Sequence, residues 1–264
     1  MKKIILFFAV VLLAVVIGTT ADAKNDKKYA PENEDAVENG VYDVEGRPDL
    51  KLRVFVYKAK LDTSPATALA CLLPDNDSSA IVDGAGWKLD TSTDWVYKLN
   101  VTSVPASVGS GNLPTIATRA FSVWVDATGN KVSVAPGFVT TATRAQRDGQ
   151  NIISWGRASG STLAVTYIWY NTTTGKAVEI DTIMNQKFAW SWTDQVGSNL
   201  NCAIPNTYDA QNILTHELGH TFGLDDHYTS AYTNNTMYGF GSKTEVKKNT
   251  LTAGDIDGVK VLYP

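Results

Sequence analysis

The period at which apolar positions recur along the chain predicts which element each segment forms. Residues 49–60 predict a strand with one buried face, because apolar side chains alternate along part of the segment. The alternating positions are Leu50, Leu52, Val54 and Val56. Pro114 opens a segment in which apolar positions recur with the spacing of one helix face. These positions are Ile116, Ala117, Ala120, Phe121, Trp124 and Val125. The chain therefore combines strands with a helix that can cover a sheet.

Further strands and two later helices follow from the same patterns. The additional strands are predicted at residues 95–101, 151–155, 163–170 and 177–184. The run from Asn171 to Lys176 between the last two predicts a hairpin loop. A helix should begin between Asn206 and Asp209, which are both good N-cap residues. The last helix should begin near Thr252, with Asp255 as its capping partner.

The first 23 residues have the features of a secretory signal peptide. Lys2 and Lys3 precede an apolar run over residues 4–17 that is too short to span a bilayer comfortably, and Ala21-Asp22-Ala23 fits a cleavage site. An uncleaved N-terminal anchor is the alternative. No other segment is apolar enough to cross a membrane, so we expect a secreted mature protein that is not embedded in a membrane.

Residues 24–84 differ in composition from the rest of the chain. The part before Asp49 is charged and poor in large apolar residues, which predicts a flexible lead or a propeptide. The strand at residues 49–60 belongs either to such a propeptide or to the mature domain as an extra edge, and the sequence leaves both open. We expect one folded domain over residues 85–264.

The charge balance restricts the partners. Lys and Arg number 23 and Asp and Glu number 27, which gives a net charge of −4. A protein that binds nucleic acid needs a basic face, so this composition argues against such a partner. We expect a monomer.

All three histidines of the chain lie between His216 and His227. Histidine is the commonest metal ligand among side chains. Because residues four apart share one face of a helix, His216 and His220 project in the same direction and can hold two corners of a tetrahedral Zn²⁺ ion. Glu217 lies off that axis, which suits a group that takes a proton from water rather than binding the metal. Gly223 can end the helix and let a further ligand turn back to the ion.

This spacing resembles the zinc signature of the metzincin metalloproteases, His-Glu-x-x-His-x-x-Gly-x-x-His or Asp. With Asp226 at the last position, it looks like the snapalysin-type variant. Thr236-Met237-Tyr238-Gly239 resembles the methionine turn of the family, in which the methionine is an apolar floor under the metal. Residues 251–263 resemble the final helix of the matrixins. The resemblance covers roughly residues 87–264.

The resemblance implies an α+β fold. A metzincin-like catalytic domain has a twisted, mostly parallel five-stranded sheet with an antiparallel edge strand, a backing helix, an active-site helix and a C-terminal helix. Relatives hold an extended substrate against an edge strand by main-chain hydrogen bonds. Residues 177–184 form either this edge strand or an ordinary inner strand, and the sequence favours neither.

The third metal ligand has two candidates. The resemblance assigns this role to Asp226. If the turn after Gly223 is one residue wider, His227 binds the metal. Asp226 then does not bind the metal and instead orients one of its ligands.

Cys71 and Cys202 are the two cysteines of the chain. A pair in an exported protein suggests a disulfide. Cys71-Leu-Leu-Pro-Asp75 also has the spacing of the matrixin cysteine switch, in which a propeptide thiolate occupies the fourth zinc position. Ala70 and Leu72 stand where that motif has Arg and Gly, which argues against the switch. Two free thiols are the third alternative.

The residues and the resemblance together imply a zinc-dependent endopeptidase that hydrolyses peptides or proteins with a zinc-activated water and Glu217 as general base. One alternative is a metal-binding pseudoprotease that serves as an adhesion module, and another is a non-proteolytic zinc amidase. Structural calcium is a further expectation from the resemblance, and Asp75, Asp77 and Asp83 could contribute to such a site.

Overall fold

A computed structural model of the chain describes residues 28–30, 37–60, 78–194 and 204–264. The predicted signal peptide, Cys71, Asp75, Asp77 and Cys202 lie outside these described residues. The predictions of a signal peptide and of a disulfide or cysteine switch therefore stay predictions. None of the helices in the described part of the chain is long and apolar enough to cross a membrane.

Eight strands of the described residues form one sheet. In chain order they are β1 (Gly40–Asp43), β2 (Leu50–Ala59), β3 (Trp95–Leu99), β4 (Val134–Pro136), β5 (Asn151–Gly156), β6 (Thr162–Asn171), β7 (Ala177–Asn185) and, near the C-terminal end, β10 (Phe240–Gly241). The spatial order is β1-β2-β6-β7-β5-β3-β4, and β10 pairs with β2. Two short strands, β8 (Trp190–Ser191) and β9 (Tyr208–Asp209), pair separately.

The strand directions confirm the predicted α+β class. Strands β4, β3, β5 and β7 are parallel neighbours, and β6 joins β7 antiparallel. These five strands are the predicted five-stranded sheet. The structure extends that sheet, because β2 pairs antiparallel with β6 along its whole length and β1 and β10 pair with β2. The antiparallel strand β6 is therefore not at an edge.

The strand predicted at residues 49–60 is present as β2, and it is an inner strand of the domain sheet. Its pairing with β6 runs from Leu50 opposite Asn171 to Lys58 opposite Thr162. The strand thus lies in the same sheet as the predicted domain of residues 85–264. The position of the boundary between lead and domain stays a prediction.

The proposal of an edge strand at residues 177–184 is wrong, because β7 lies between β5 and β6. Eight of the nine residues of β7 are buried, as expected for a strand covered on both faces rather than one that alternates between core and solvent. The alternative of an ordinary inner strand is the one that the structure bears out.

Three α-helices of the described residues pack against one face of the sheet: α1 (Leu113–Ala127), α2 (Ala210–Thr221) and α3 (Ala253–Leu262). Pro114 lies in the first turn of α1, and the predicted apolar stripe faces the core. The indole Nε1 of Trp124 donates to the Thr215 carbonyl oxygen at 2.8 Å and ties α1 to α2. The predicted helix starts are confirmed, since Asp209 caps α2 and Thr252 forms a capping box with Asp255 at the start of α3. A second apolar cluster covers the other face of the sheet.

Candidate metal centre

Helix α2 carries three of the predicted site residues into the core. The Asp209 side chain accepts the Asn212 backbone N–H at 3.0 Å and fixes where the helix begins. One turn of helix separates His216 from His220, whose ring centroids are 5.0 Å apart. Both imidazoles and the intervening Glu217 are fully buried.

Gly223 ends the helix and reverses the chain, as predicted. Its φ is +98°, a value that side chains disfavour, and a Cβ at this position would collide with the Trp87 carbonyl oxygen. The reversal brings Asp226 back to the helix. Its Oδ1 lies 3.3 Å from His216 Nε2 and 3.6 Å from His220 Nε2.

The hydrogen bonds of the two imidazoles define which nitrogen carries the proton. His216 Nδ1 lies 2.7 Å from the Thr236 carbonyl oxygen, and His220 Nδ1 lies 2.9 Å from that of Leu224. A carbonyl oxygen only accepts, so each Nδ1 is the donor and each Nε2 keeps its lone pair. Burial lowers the pKa of His216 well below its ordinary value and that of His220 to about 3, which keeps both rings neutral.

Three acceptor atoms therefore converge in a buried space. His216 Nε2, His220 Nε2 and Asp226 Oδ1 have no hydrogen-bond partner among the described residues. Within that part of the chain, their residues form the one group of three or more side chains that could hold a metal ion, with ligand atoms within 4.8 Å of one another. Acceptors at this separation repel unless a cation lies between them. The residues present therefore fit a metal ion.

The two oxygens of the Glu217 carboxyl group have different surroundings. Its Oε2 accepts the hydroxyl of Thr166 on β6 at 2.5 Å, and Thr166 also contacts the Thr182 hydroxyl at 3.0 Å. Its Oε1 has no partner among the described residues. Burial raises the pKa of Glu217 to about 8. The arrangement leaves a fixed carboxyl group with one oxygen available to a proton.

Met237 packs where the sequence predicts an apolar floor. The side chain is fully buried, and a Cβ on Gly219 would collide with its Sδ. The backbone N–H groups of Thr236 and Met237 donate to the Asp255 carboxylate at 2.8 and 3.2 Å. The methionine turn is thus fastened to α3 while its side chain lies against the helix between the two histidines.

His227 lies outside this group. Its Nε2 accepts the Asp83 backbone N–H at 3.1 Å, and its ring stacks on Tyr232 with centroids 4.0 Å apart. The neighbouring Tyr228 hydroxyl donates to Asp226 Oδ2 at 3.0 Å, which holds the carboxylate towards the imidazoles. The structure brings Asp226, and not His227, to the other two residues.

Comparison with protein families gives a match over the same part of the chain. The family model described as matrixin matches residues 87–264, which include α2, the turn after it and the methionine turn. The chain belongs to the matrixin family. It is accordingly a metallopeptidase of a family of zinc metalloendopeptidases, and zinc is the metal that the family implies. Comparison of the chain with curated proteins gives no match.

Four residues at the site do not follow from the sequence pattern. Thr166 reaches Glu217 from β6, and the rings of Phe55 and Tyr57 on β2 stack on the two imidazoles. The fourth, Lys248, is buried and donates to the Tyr57 hydroxyl oxygen at 2.5 Å. All four reach the site through contacts between distant segments, for which the sequence carries no local signal. The expectation of calcium is not tested, since two of its three carboxylates lie outside the described residues.

Proposed function

We propose that this matrixin is a secreted zinc-dependent endopeptidase in which His216, His220 and Asp226 hold the metal and Glu217 is the general base. The observation that carries the proposal is the convergence of three buried ligand atoms, each without a partner among the described residues, beside a carboxyl group with one free oxygen. Two imidazoles and a carboxylate are a ligand set of catalytic zinc, in which a further position stays open for water or substrate.

When bound, zinc would supply a Lewis acid that makes water more acidic and polarises a peptide carbonyl. Glu217 would take the proton from the attacking water at its free Oε1 and pass it to the leaving amine nitrogen. The Thr166 hydroxyl on Oε2 keeps the carboxyl group from rotating, so that Oε1 stays directed at one place. The pKa of about 8 is raised by burial, and a nearby cation would lower it and favour the carboxylate that a base requires.

Asp226 gives the site one negative charge while both imidazoles stay neutral. A site with Asp in place of a third His carries one unit less of positive charge, which makes the metal a slightly weaker Lewis acid. Zinc proteases with two His and one Glu use a similar set.

The proposals about location and partners rest on the sequence. Residues 1–23 support export, and the net charge of −4 argues against a nucleic-acid partner. The substrate class is peptides or proteins, as family membership supports. We further propose that the mature protein is a monomer that is not embedded in a membrane.

One observation favours a second candidate, a pseudoprotease that holds metal without catalysis and acts as an adhesion module. The candidate metal centre is fully buried, as in a structural site. The free Oε1 of Glu217 favours the protease, since a structural site has no use for this carboxyl group.

The experiment that tests the proposal is hydrolysis of casein by the zinc-loaded protein before and after a chelator. We expect cleavage that stops when the metal is removed and returns when zinc is added. Cleavage of casein would also exclude a zinc amidase that acts on cell-wall or polysaccharide amides, because such an enzyme would not cut a protein. Cleavage that continues without metal would contradict the proposal. If the zinc-loaded protein does not cleave casein, the pseudoprotease is favoured.

A further inference from the structure

Two threonine hydroxyls connect Glu217 to the interior of the sheet. Glu217 Oε2 lies 2.5 Å from the hydroxyl oxygen of Thr166 on β6, which lies 3.0 Å from the hydroxyl oxygen of Thr182 on β7. We call these two hydroxyls the hydroxyl line. Glu217 and Thr166 are fully buried, and Thr182 is 1% exposed. Bulk solvent therefore does not compete for these hydrogens, and the three groups must satisfy one another.

The pairing of β6 with β7 places both threonines. Thr166 lies directly opposite Thr182 in the antiparallel register, so their side chains project from the same face of the sheet. The contact between Thr166 and Glu217 shows that this is the face covered by α2. The hydroxyl line is thus fixed by two inner strands of the sheet and does not depend on the conformation of a loop.

The number of hydrogens in the hydroxyl line restricts their directions. A threonine hydroxyl donates one hydrogen bond, and an ionised carboxylate only accepts. Thr166 has two partners, so its hydrogen serves one contact and the other contact needs a hydrogen from the neighbour. The hydrogen bonds therefore run from Thr182 through Thr166 to Glu217, or in the reverse direction from a proton on Glu217 Oε2.

The end of the hydroxyl line at Thr182 favours the first direction. Within the described part of the chain, the Thr182 hydroxyl has Thr166 as its only hydrogen-bond partner. In the reverse direction Thr182 would accept from Thr166, and its own hydrogen would be buried without an acceptor, which costs free energy. In the first direction both hydroxyl hydrogens are bound and Glu217 Oε2 is the final acceptor.

A small cavity lined by Thr182 is a poor source of another acceptor. Its volume is about 10 Å³, and most of its wall is apolar or aromatic. This volume is at the lower limit for one water molecule, which also needs two to four polar partners. Asn151, a polar residue of the wall, already binds the backbone of Val96 and Ile180 through its amide. A water that accepts the hydrogen of Thr182 would therefore be poorly held there.

We propose that Thr182 is a positioning residue that directs its hydrogen to Thr166, so that Glu217 Oε2 stays an acceptor and the proton that Glu217 carries lies on Oε1. The inference rests on the proposed function, in which Oε1 takes a proton from water. One O–H bond of the water breaks and an O–H bond forms at Oε1, and the proton then passes from Oε1 to the leaving amine nitrogen. No proton moves along the hydroxyl line.

A proton on the other oxygen of Glu217 would be unproductive. On Oε2 it would point to Thr166, away from the amine that has to receive it. The contact of 2.5 Å between Oε2 and Thr166 has room for one hydrogen, so a hydroxyl that already donates there excludes a proton on Oε2. Thr182 touches neither substrate nor metal in this account and acts only through the direction of the Thr166 hydroxyl.

Three variants test the role of Thr182 in the zinc-loaded protein. Thr182→Val keeps the shape of the side chain and removes the hydroxyl, and Thr182→Ser restores a hydroxyl. Ser154→Ala is the matched control, because Ser154 on β5 is fully buried and its hydroxyl has no partner among the described residues. Steady-state kinetics with a fluorogenic peptide give kcat and KM for each variant.

We expect Thr182→Val to lower kcat by about three- to tenfold with little change in KM, the loss that corresponds to one net hydrogen bond. Thr182→Ser should recover most of this loss, and Ser154→Ala should stay within about twofold of the wild type. An unchanged kcat in Thr182→Val, or equal losses in Thr182→Val and Ser154→Ala, would overturn the inference.

A double variant distinguishes action through Thr166 from a separate effect on packing. The variant that combines Thr166→Val with Thr182→Val should have the same kcat as Thr166→Val alone, because the second hydroxyl has no effect once the first is absent. Losses that multiply in the double variant would show that Thr182 acts independently of Thr166 and would overturn the inference.

Neutron diffraction from the deuterated zinc-loaded protein locates the hydrogens directly and needs no variant. We expect the deuteron of Thr182 to point to Thr166 and that of Thr166 to point to Glu217 Oε2. A deuteron bound to Oε2, or a Thr182 deuteron that points into the cavity, would overturn the inference. This measurement does not depend on catalysis. If the wild type does not cleave casein, the proposed function fails, and the neutron map alone decides the direction of the hydrogen bonds.

Discussion

Two buried carboxyl groups of this matrixin have similar acidity and different surroundings. Glu217 on α2 and Asp181 on β7 are each at most 1% exposed, and burial raises the pKa of both to about 8. Asp181 accepts the backbone N–H of Gln146 at Oδ2 and that of Ile152 at Oδ1, each at 3.0 Å. Glu217 has one oxygen on Thr166 and the other without a partner among the described residues.

The comparison shows that burial and a shifted pKa do not by themselves identify a reactive carboxyl group. Asp181 has both oxygens occupied and fastens the loop before β5 to the sheet, so we assign it a structural role. Glu217 follows His216 directly, and its Oε1 and the three candidate ligand atoms all lack partners among the described residues. The unpartnered atom distinguishes the group that can take part in chemistry.

Amide substitution at the two carboxyl groups should have very different effects on the rate of peptide hydrolysis. Glu217→Gln keeps the size of the side chain and removes its basicity, so peptide hydrolysis should fall by about 100- to 10,000-fold. Zinc content should stay unchanged. The matched control, Asp181→Asn, should keep the hydrolysis rate within about threefold. Steady-state kinetics with a fluorogenic peptide measure both variants, and similar losses in the two would show that the comparison is wrong.

A second prediction concerns Asp226, the candidate third ligand. Asp226→Ala removes the third ligand atom, and zinc affinity should fall by more than about 100-fold, since loss of an outer partner alone costs about ten- to a hundredfold. His227→Ala should bind zinc nearly as the wild type does, because its ring lies against Tyr232. Competition with a fluorescent zinc indicator measures both affinities. The reverse order would mean that the turn places His227 on the metal.

Substitution of Thr166 tests whether its hydrogen bond to Glu217 Oε2 contributes to kcat. Thr166→Val keeps the shape of the side chain and removes the hydroxyl, so the carboxyl group can rotate. We expect kcat to fall by about ten- to a hundredfold with little change in KM. Thr166→Ser restores a hydroxyl and should recover most of the activity. An unchanged kcat in Thr166→Val would show that Thr166 does not position Glu217.

The smallest expected effect is on the pH dependence of stability. The folded pKa of Asp181, about 8, lies above the value of about 3.9 in an unfolded chain. Between these values the folded state holds a proton that the unfolded state releases, so the free energy of unfolding falls as pH rises. In Asp181→Asn, this fall between about pH 5 and pH 7 should be shallower by about 1 kcal/mol per pH unit. Urea unfolding at several pH values measures the slopes, and equal slopes would contradict the raised pKa.

The sequence predicts the site where its geometry is local. His216 and His220 share a helix face by spacing alone, and Gly223 marks the reversal that returns Asp226. Within this stretch, sequence spacing left only the choice between Asp226 and His227, which depends on the width of one turn. The positions of α1, α2 and α3 and the hairpin of β6 and β7 also follow from local patterns.

The parts of the sheet and of the site that the sequence does not predict depend on pairing between distant segments. The composition before Asp49 predicted a flexible lead or a propeptide, and the sequence left open whether the strand that follows belongs to the mature domain. In the structure this strand, β2, pairs with β6 more than a hundred residues later. The contacts of Thr166 and Phe55 with the site arise from that sheet. A strand pattern does not specify its partner, so neither residue could be identified from the sequence.

X-ray absorption at the zinc edge of the zinc-loaded protein identifies the atoms that bind the metal. We expect two imidazole ligands and a carboxylate oxygen, from His216, His220 and Asp226, with light atoms alone around the metal. A third imidazole would place His227 in the centre, and a sulfur ligand at about 2.3 Å would place a cysteine there. Either result would contradict the metal centre described above.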